Sequence, residues 1–131
     1  MLFGTRAYLQ SPVTFDRQSV REILRSMDAG MAGNSTSIGD ALGLALKSIR
    51  ESGGSEERII ILLTDGENND GSLSMAQAIN LARNEKVKVY TIGVGAENAF
   101  VRSLFGMRIA MPGGIDEEGL KRLAEETKGN Y

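Results

Sequence analysis

Two runs, RIIILLTD at 58–65 and KVKVYTIGVG at 86–95, place the tightest limit on the fold. The first is continuously apolar and rich in β-branched residues, the composition of a strand covered on both faces in a parallel sheet. Parallel neighbours need a crossover, usually a helix. SLSMAQAINLARNE, at 72–85, supplies one between the two runs. Upstream, SIGDALGLALKSIRES (37–52) sets Ile38, Leu42, Ala45, Leu46 and Ile49 on one helical face, and Gly53 and Gly54 stop it. Downstream, DEEGLKRLAEETKG (116–129) reads as a helix ending at Gly129. Helix, strand, helix, strand, helix predicts α/β architecture with a parallel sheet.

The flanks are less regular. MLFGTRAYLQSPVTF (1–15) reads as two short extended pieces around a Gly4–Thr5 turn, closed by Pro12. DRQSVREILRSM (16–27) reads as a helix capped by Asp16, with Val20, Ile23, Leu24 and Met27 at helical spacing. Residues 97–114 fit neither period and read as a long loop with a short helix at Phe100–Phe105; such loops tend to carry function or to move. Met107 and Met111 are expected to pack beneath it, with a partner surface formed by Phe100, Phe105 and these methionines as the alternative. The 131 residues suit one domain, and the formal charge of −2, with no block of Lys or Arg, argues against nucleic acid and anionic membrane as partners.

The chain has no Cys and no His. A disulfide framework, a thiolate or imidazole metal site and a Ser–His or Cys–His catalytic pair are therefore excluded within it. A metal held here must be held by oxygen, which points to Mg²⁺, Mn²⁺ or Ca²⁺.

Asp65 is the first candidate for such a site. It ends an apolar strand, and ligands collect at the carboxyl ends of parallel strands; the plainer role of Asp65-Gly66 is to begin a turn. Ser35, Thr36 and Ser37 are the second. They precede a helix, where one hydroxyl would serve as a cap, yet three are present. A hydroxyl and a carboxylate converging at one sheet edge would suit a hard cation. Asp40, Glu67 and Asp70 lie nearby but read as an exposed carboxylate, another, and a turn residue; Lys86 and Lys88 read as solvated.

GNSTSIGDALGLAL, then RIIILLTDGENNDG, then KVKVYTIGVGAE resembles the von Willebrand factor A domain over essentially the whole chain. The segment SLFGMRIAMPGGIDEEGLKRLAEETKGNY resembles the BatA-type bacterial aerotolerance proteins of that superfamily. The resemblance implies a three-layer, Rossmann-like α/β fold with a mostly parallel central sheet. It also implies a metal-ion-dependent adhesion site built from an Asp-x-Ser-x-Ser loop, a Thr and an Asp. Thr36 matches the Thr and Asp65 the Asp, with Ser35, Gly66 and Asn68 on the ligand-binding rim. The implied function is a protein-binding module, not an enzyme, that engages a partner carboxylate through the metal. Its implied setting is a Bat complex in the bacterial cell envelope, anchored in the inner membrane in the full-length protein, with a MoxR-type AAA+ ATPase as partner.

The Asp-x-Ser-x-Ser loop follows the family's first, central strand, whereas FGTRAYLQSPVT matches its second and third strands. The expectation is thus a partial domain over 1–131, lacking the first strand and the last. From this follow a weak cation site or none, and self-association, most simply as a homodimer, through the edge of RIIILL. The competing function is Mg²⁺-dependent phosphoryl transfer using Asp65. Glu67 supplies a second carboxylate two residues on, but the hydrophobic-Asp-x-Asp-x-Thr/Val pattern and a phosphate-binding Gly-Lys-Ser/Thr loop are both missing.

Overall fold

The computed structural model describes residues 1–53, 57–95, 100–102, 108–110 and 115–131. It contains α-helices and a parallel strand pair, as the α/β reading requires. The chain divides into two compact units, residues 1–56 with 68–81, and residues 57–67 with 82–131.

In the first unit, β1 (Leu2–Phe3) and β2 (Ala7–Tyr8) form an antiparallel hairpin around the Gly4–Thr5 turn. Helix α1 (Arg17–Arg25) starts where its cap dictates: the Asp16 carboxylate accepts from the Ser19 amide at 3.0 Å and the Ser19 hydroxyl at 2.6 Å. The apolar spacing places the helix correctly but does not bury it, for none of its residues is buried. Helix α2 (Ile38–Glu51) carries the core of this unit, burying Ile38, Ala41, Leu42 and Leu46. Its Gly39 lies so close to the Leu73 carbonyl that a β-carbon would overlap it. Helix α3 (Met75–Asn84) follows.

In the second unit, β3 (Arg58–Thr64) and β4 (Val87–Gly93) pair in parallel and in register from Arg58↔Val87 to Thr64↔Gly93. Helix α4 (Glu117–Glu126) packs on β4 with Leu120, Leu123 and Ala124 buried. Two buried threonines tie the layers: Thr91 Oγ1 donates to the Leu120 carbonyl, and Thr127 Oγ1 accepts from the Val89 amide, each at 3.1 Å. Among the described residues, β3 is not covered on both faces. Ile59, Ile61 and Leu63 are 48, 69 and 58 % exposed, while Leu62 and Thr64 on the other row are buried. The helix packed on β4 serves the row of Val87, Val89 and Thr91 alone, so the run of apolar residues hides a one-sided strand.

Residues 100–102 are extended, not helical. They form β5 (Phe100–Arg102), antiparallel to β6 (Arg108–Ala110). Met107 and Met111, expected to pack beneath this segment, lie outside the described residues, as do Phe105 and the side chain of Phe100, which the alternative partner surface also needs.

Candidate functional site

Helix α2 does not cap itself. Ser37 is its cap residue, yet the buried Ser37 hydroxyl donates to the Gly4 carbonyl at 2.6 Å. The helix amides of Ile38 and Gly39 are instead taken by the Asn68 side-chain oxygen, at 2.7 and 3.3 Å. Asn69 does the same for the preceding loop: its oxygen accepts from the Thr36 amide at 2.8 Å. The amides of Asn69 and Asp70 return to the Thr36 carbonyl at 3.0 and 3.3 Å.

Ser35 is engaged as well. Its hydroxyl donates to the Asp70 carboxylate at 2.5 Å and lies 2.7 Å from the Thr5 hydroxyl. The Ser35 bond, followed by the Gly71 amide, holds the Asp70 carboxyl below its ordinary range. Asp40 secures the next stretch, accepting from the amides of Ser72 and Leu73 at 2.8 to 3.1 Å. Between them Gly71 has φ +109°, and a β-carbon there would come within 2.9 Å of the Ser37 β-carbon. Only glycine suits both that backbone and that space.

Two of the three hydroxyls are therefore committed to the fold. That of half-buried Thr36 forms no hydrogen bond among the described residues, although its amide and carbonyl are both fixed. Helix capping accounts for none of the three, because the cap comes from Asn68.

Asp65 and Gly66 belong to the second unit. Asp65 follows the last residue of β3, is exposed, and makes no side-chain hydrogen bond or ion pair among the described residues. The strand end behind it is firm: the Val94 amide donates to the Thr64 carbonyl at 2.8 Å, and the Gly66 amide to Thr64 Oγ1 at 3.3 Å. The turn after Asp65 does not depend on a left-handed glycine, since Gly66 is absent from the positive-φ positions and the Thr64 hydroxyl closes it. Ser35, Thr36 and Asn68 thus share one bonded network in the first unit.

Sequence reasoning missed Asn69, Asp40 and Gly71 as parts of this network, and it missed the helix cap that Asn68, read as a rim residue, provides. The polar run NNDG after the strand was the available signal. Lys88, read as solvated, is paired with Glu57 at 3.1 Å.

Among the described residues there is no group of three or more acidic, His or Cys side chains placed to hold a metal. Of the residues assigned to a cation from sequence, the Thr36 hydroxyl and the Asp65 carboxylate are each uncommitted among the described residues. Both are hard oxygens, suited to Mg²⁺, Mn²⁺ or Ca²⁺ with water completing the shell.

A parallel strand pair linked through a helix, with a further helix packed on it, is the architecture of a Rossmann-like α/β fold. The chain belongs to the von Willebrand factor type A domain family, whose model matches residues 1–131. Among solved structures it resembles an aerotolerance-related membrane protein from Bacteroides fragilis, with a TM-score of 0.73 and 26 % identity, covering 98 % of this chain and 67 % of that one. An uncharacterized membrane-spanning protein from Vibrio fischeri is 43 % identical, with a TM-score of 0.47, over 98 % of this chain and 63 % of that one. An uncharacterized protein from Borreliella burgdorferi is 33 % identical over 98 residues, which is 75 % of this chain and 28 % of that protein's length. The chain thus spans little more than a quarter of the Borreliella relative.

Proposed function

We propose that this domain is a protein-binding module in which Thr36 and Asp65 serve one divalent cation, Mg²⁺, Mn²⁺ or Ca²⁺, and a carboxylate of the partner completes the coordination. The observation that carries the reading is the Thr36 residue: its backbone is held by three hydrogen bonds while its hydroxyl has no partner among the described residues. Membership of a family of interaction modules supports binding over catalysis. Ser35, bonded to Asp70, and Asn68, capping helix α2, contribute to the rim on either side of Thr36, and Gly66 by following Asp65.

A single carboxylate makes a weak site, with dissociation constants of about 1 mM or weaker, far from the ~10⁻⁷–10⁻⁵ M of multi-carboxylate sensors. The full-length protein sits at the inner membrane of a bacterial envelope, with Bat proteins and a MoxR-type AAA+ ATPase as partners. The likeness to an aerotolerance-related membrane protein supports that setting. Among the described residues no helix is long and apolar enough to cross a membrane.

Calorimetric titration with Mn²⁺ tests the site. Thr36→Val and Asp65→Ala should each abolish the weak saturable binding while leaving the unfolding temperature nearly unchanged. Micromolar binding, or binding that survives both changes, would refute the assignment. A Mg²⁺-dependent phosphatase or ATPase activity lost in Asp65→Ala would instead favour the phosphoryl-transfer alternative.

Self-association is a second reading. Among the described residues β3 pairs with β4 alone, and its outward row of Ile59, Ile61 and Leu63 is exposed. The backbone edge of β3 away from β4 lacks the Lys, Pro or bulge that usually protects one, and the exposed row adds an apolar face beside it.

A further inference from the structure

Lys47, Arg58, Arg83, Lys88, Lys121 and Arg122 each lie 2.6 to 3.9 Å from a carboxylate. Arg17, Arg21 and Arg25 have no ion pair among the described residues, and all three are exposed. They recur every fourth residue along α1, so they form one row on the helix surface. Beside that row Val20 and Leu24 are 41 and 67 % exposed, and the loop entering the helix leaves Val13 and Phe15 fully exposed.

Phe15 and the three arginines, with Asp16 and Glu22, line an open groove of about 650 Å³. The two acids lower the groove's charge to a net +1 but sit in ion pairs with none of the arginines among the described residues. Asp16 is occupied in capping the helix, and Glu22 accepts from the Gln18 amide group at 3.2 Å.

We propose that residues 13–25 form a docking surface for an anionic lipid bilayer. The arginines bind lipid phosphates, and Phe15 and Val13 enter the headgroup layer. Guanidinium groups match phosphate geometry through paired N–H donors. Apolar side chains beside a cationic row are the arrangement by which an amphipathic helix lies in a membrane interface. An acidic protein partner is favoured less, since binding hot spots need pockets that exclude water and this groove is open. The net charge of −2 conceals the row because its three cations are spaced along the sequence and gather only on the helix. The proposal uses none of the residues assigned to the cation site.

Co-sedimentation of the chain with two kinds of vesicle tests it. One is phosphatidylcholine alone; the other contains about one-third phosphatidylglycerol. Binding is expected only to the anionic vesicles and should weaken as salt rises from about 0.05 to 0.5 M. Each of Arg17→Gln, Arg21→Gln and Arg25→Gln should reduce the partition coefficient about fivefold, and the triple variant about a hundredfold. The three Arg→Lys variants should keep the salt-dependent share of binding and lose the share that needs paired N–H donors, falling between the parent and the Gln variants. Phe15→Ser should weaken binding while leaving its salt dependence in place. Equal binding to neutral vesicles, no binding to either, or a triple Gln variant that binds like the parent would overturn the proposal. So would arginine-dependent capture of poly-glutamate with no capture of vesicles.

Discussion

Removing the Asn68 side chain should uncap helix α2 from a position thirty residues away. Asn68 Oδ1 accepts from the Ile38 and Gly39 amides at 2.7 and 3.3 Å, and both residues are buried. Losing a cap typically costs ~0.5–2 kcal/mol, and leaving a buried donor unsatisfied costs ~1–3 kcal/mol. The 2.7 Å bond carries most of the effect, so Asn68→Ala should cost about 2 kcal/mol. At ~2.1 cal/mol/K per residue, the unfolding entropy of 131 residues is about 0.28 kcal/mol/K. The melting temperature should then fall by about 7 °C, read by circular dichroism or calorimetry. Asn68→Asp keeps the acceptor and adds a negative charge at a helix N-terminus, worth ~0.3–1 kcal/mol. That variant should melt at or above the parent at neutral pH. An Ala variant within about 2 °C of the parent, or an Asp variant as unstable as Ala, would refute the capping role.

Gly39→Ala opposes two effects: helix propensity favours Ala by ~1 kcal/mol, but the new β-carbon would overlap the Leu73 carbonyl. Overpacking at ~1–3 kcal/mol should win, and denaturant titration should show net destabilisation. Asp70 is held low by the Ser35 hydroxyl. A carboxylate depressed in the folded state adds stability above its unfolded value of 3.8 and loses it as pH falls through the lower folded value. Urea titrations should therefore show the parent losing more stability than Ser35→Ala on acidification below that value. If the β3 edge mediates association, the chain should sediment above its 14.1 kDa monomer mass at about 100 µM, and Ile61→Lys should restore the monomer. A clean monomer in the parent would contradict that reading.

The α/β order was legible because long periodic segments dominate it. Strands 58–64 and 87–93 and helices 38–51, 75–84 and 117–126 fall within the segments read from pattern and caps. Burial was less legible. RIIILL has the composition of a two-sided strand, but composition does not record which neighbours a strand finds, and one row stays exposed. The spacing of Val20, Ile23, Leu24 and Met27 likewise specified a helix without specifying anything for it to cover.

Residues 100–102 escaped because three-residue strands are too short to show a period. In the candidate site, Thr36 and Asp65 were visible as residue types at element ends. The network that leaves the Thr36 hydroxyl spare was not visible, because its bonds to Asn68, Asn69 and Asp70 each span about thirty residues or more.

Paramagnetic broadening of backbone amide signals by Mn²⁺ reports whether Thr36 and Asp65 share an ion. If Thr36 and Asp65 serve one ion, the amides of Ser35–Thr36 and of Asp65–Gly66 should lose intensity together at the lowest Mn²⁺ additions. Asp65→Ala should remove both effects. Loss confined to one of the two segments, or spread over exposed carboxylates such as Glu67 and Glu117 in both parent and variant, would contradict the account.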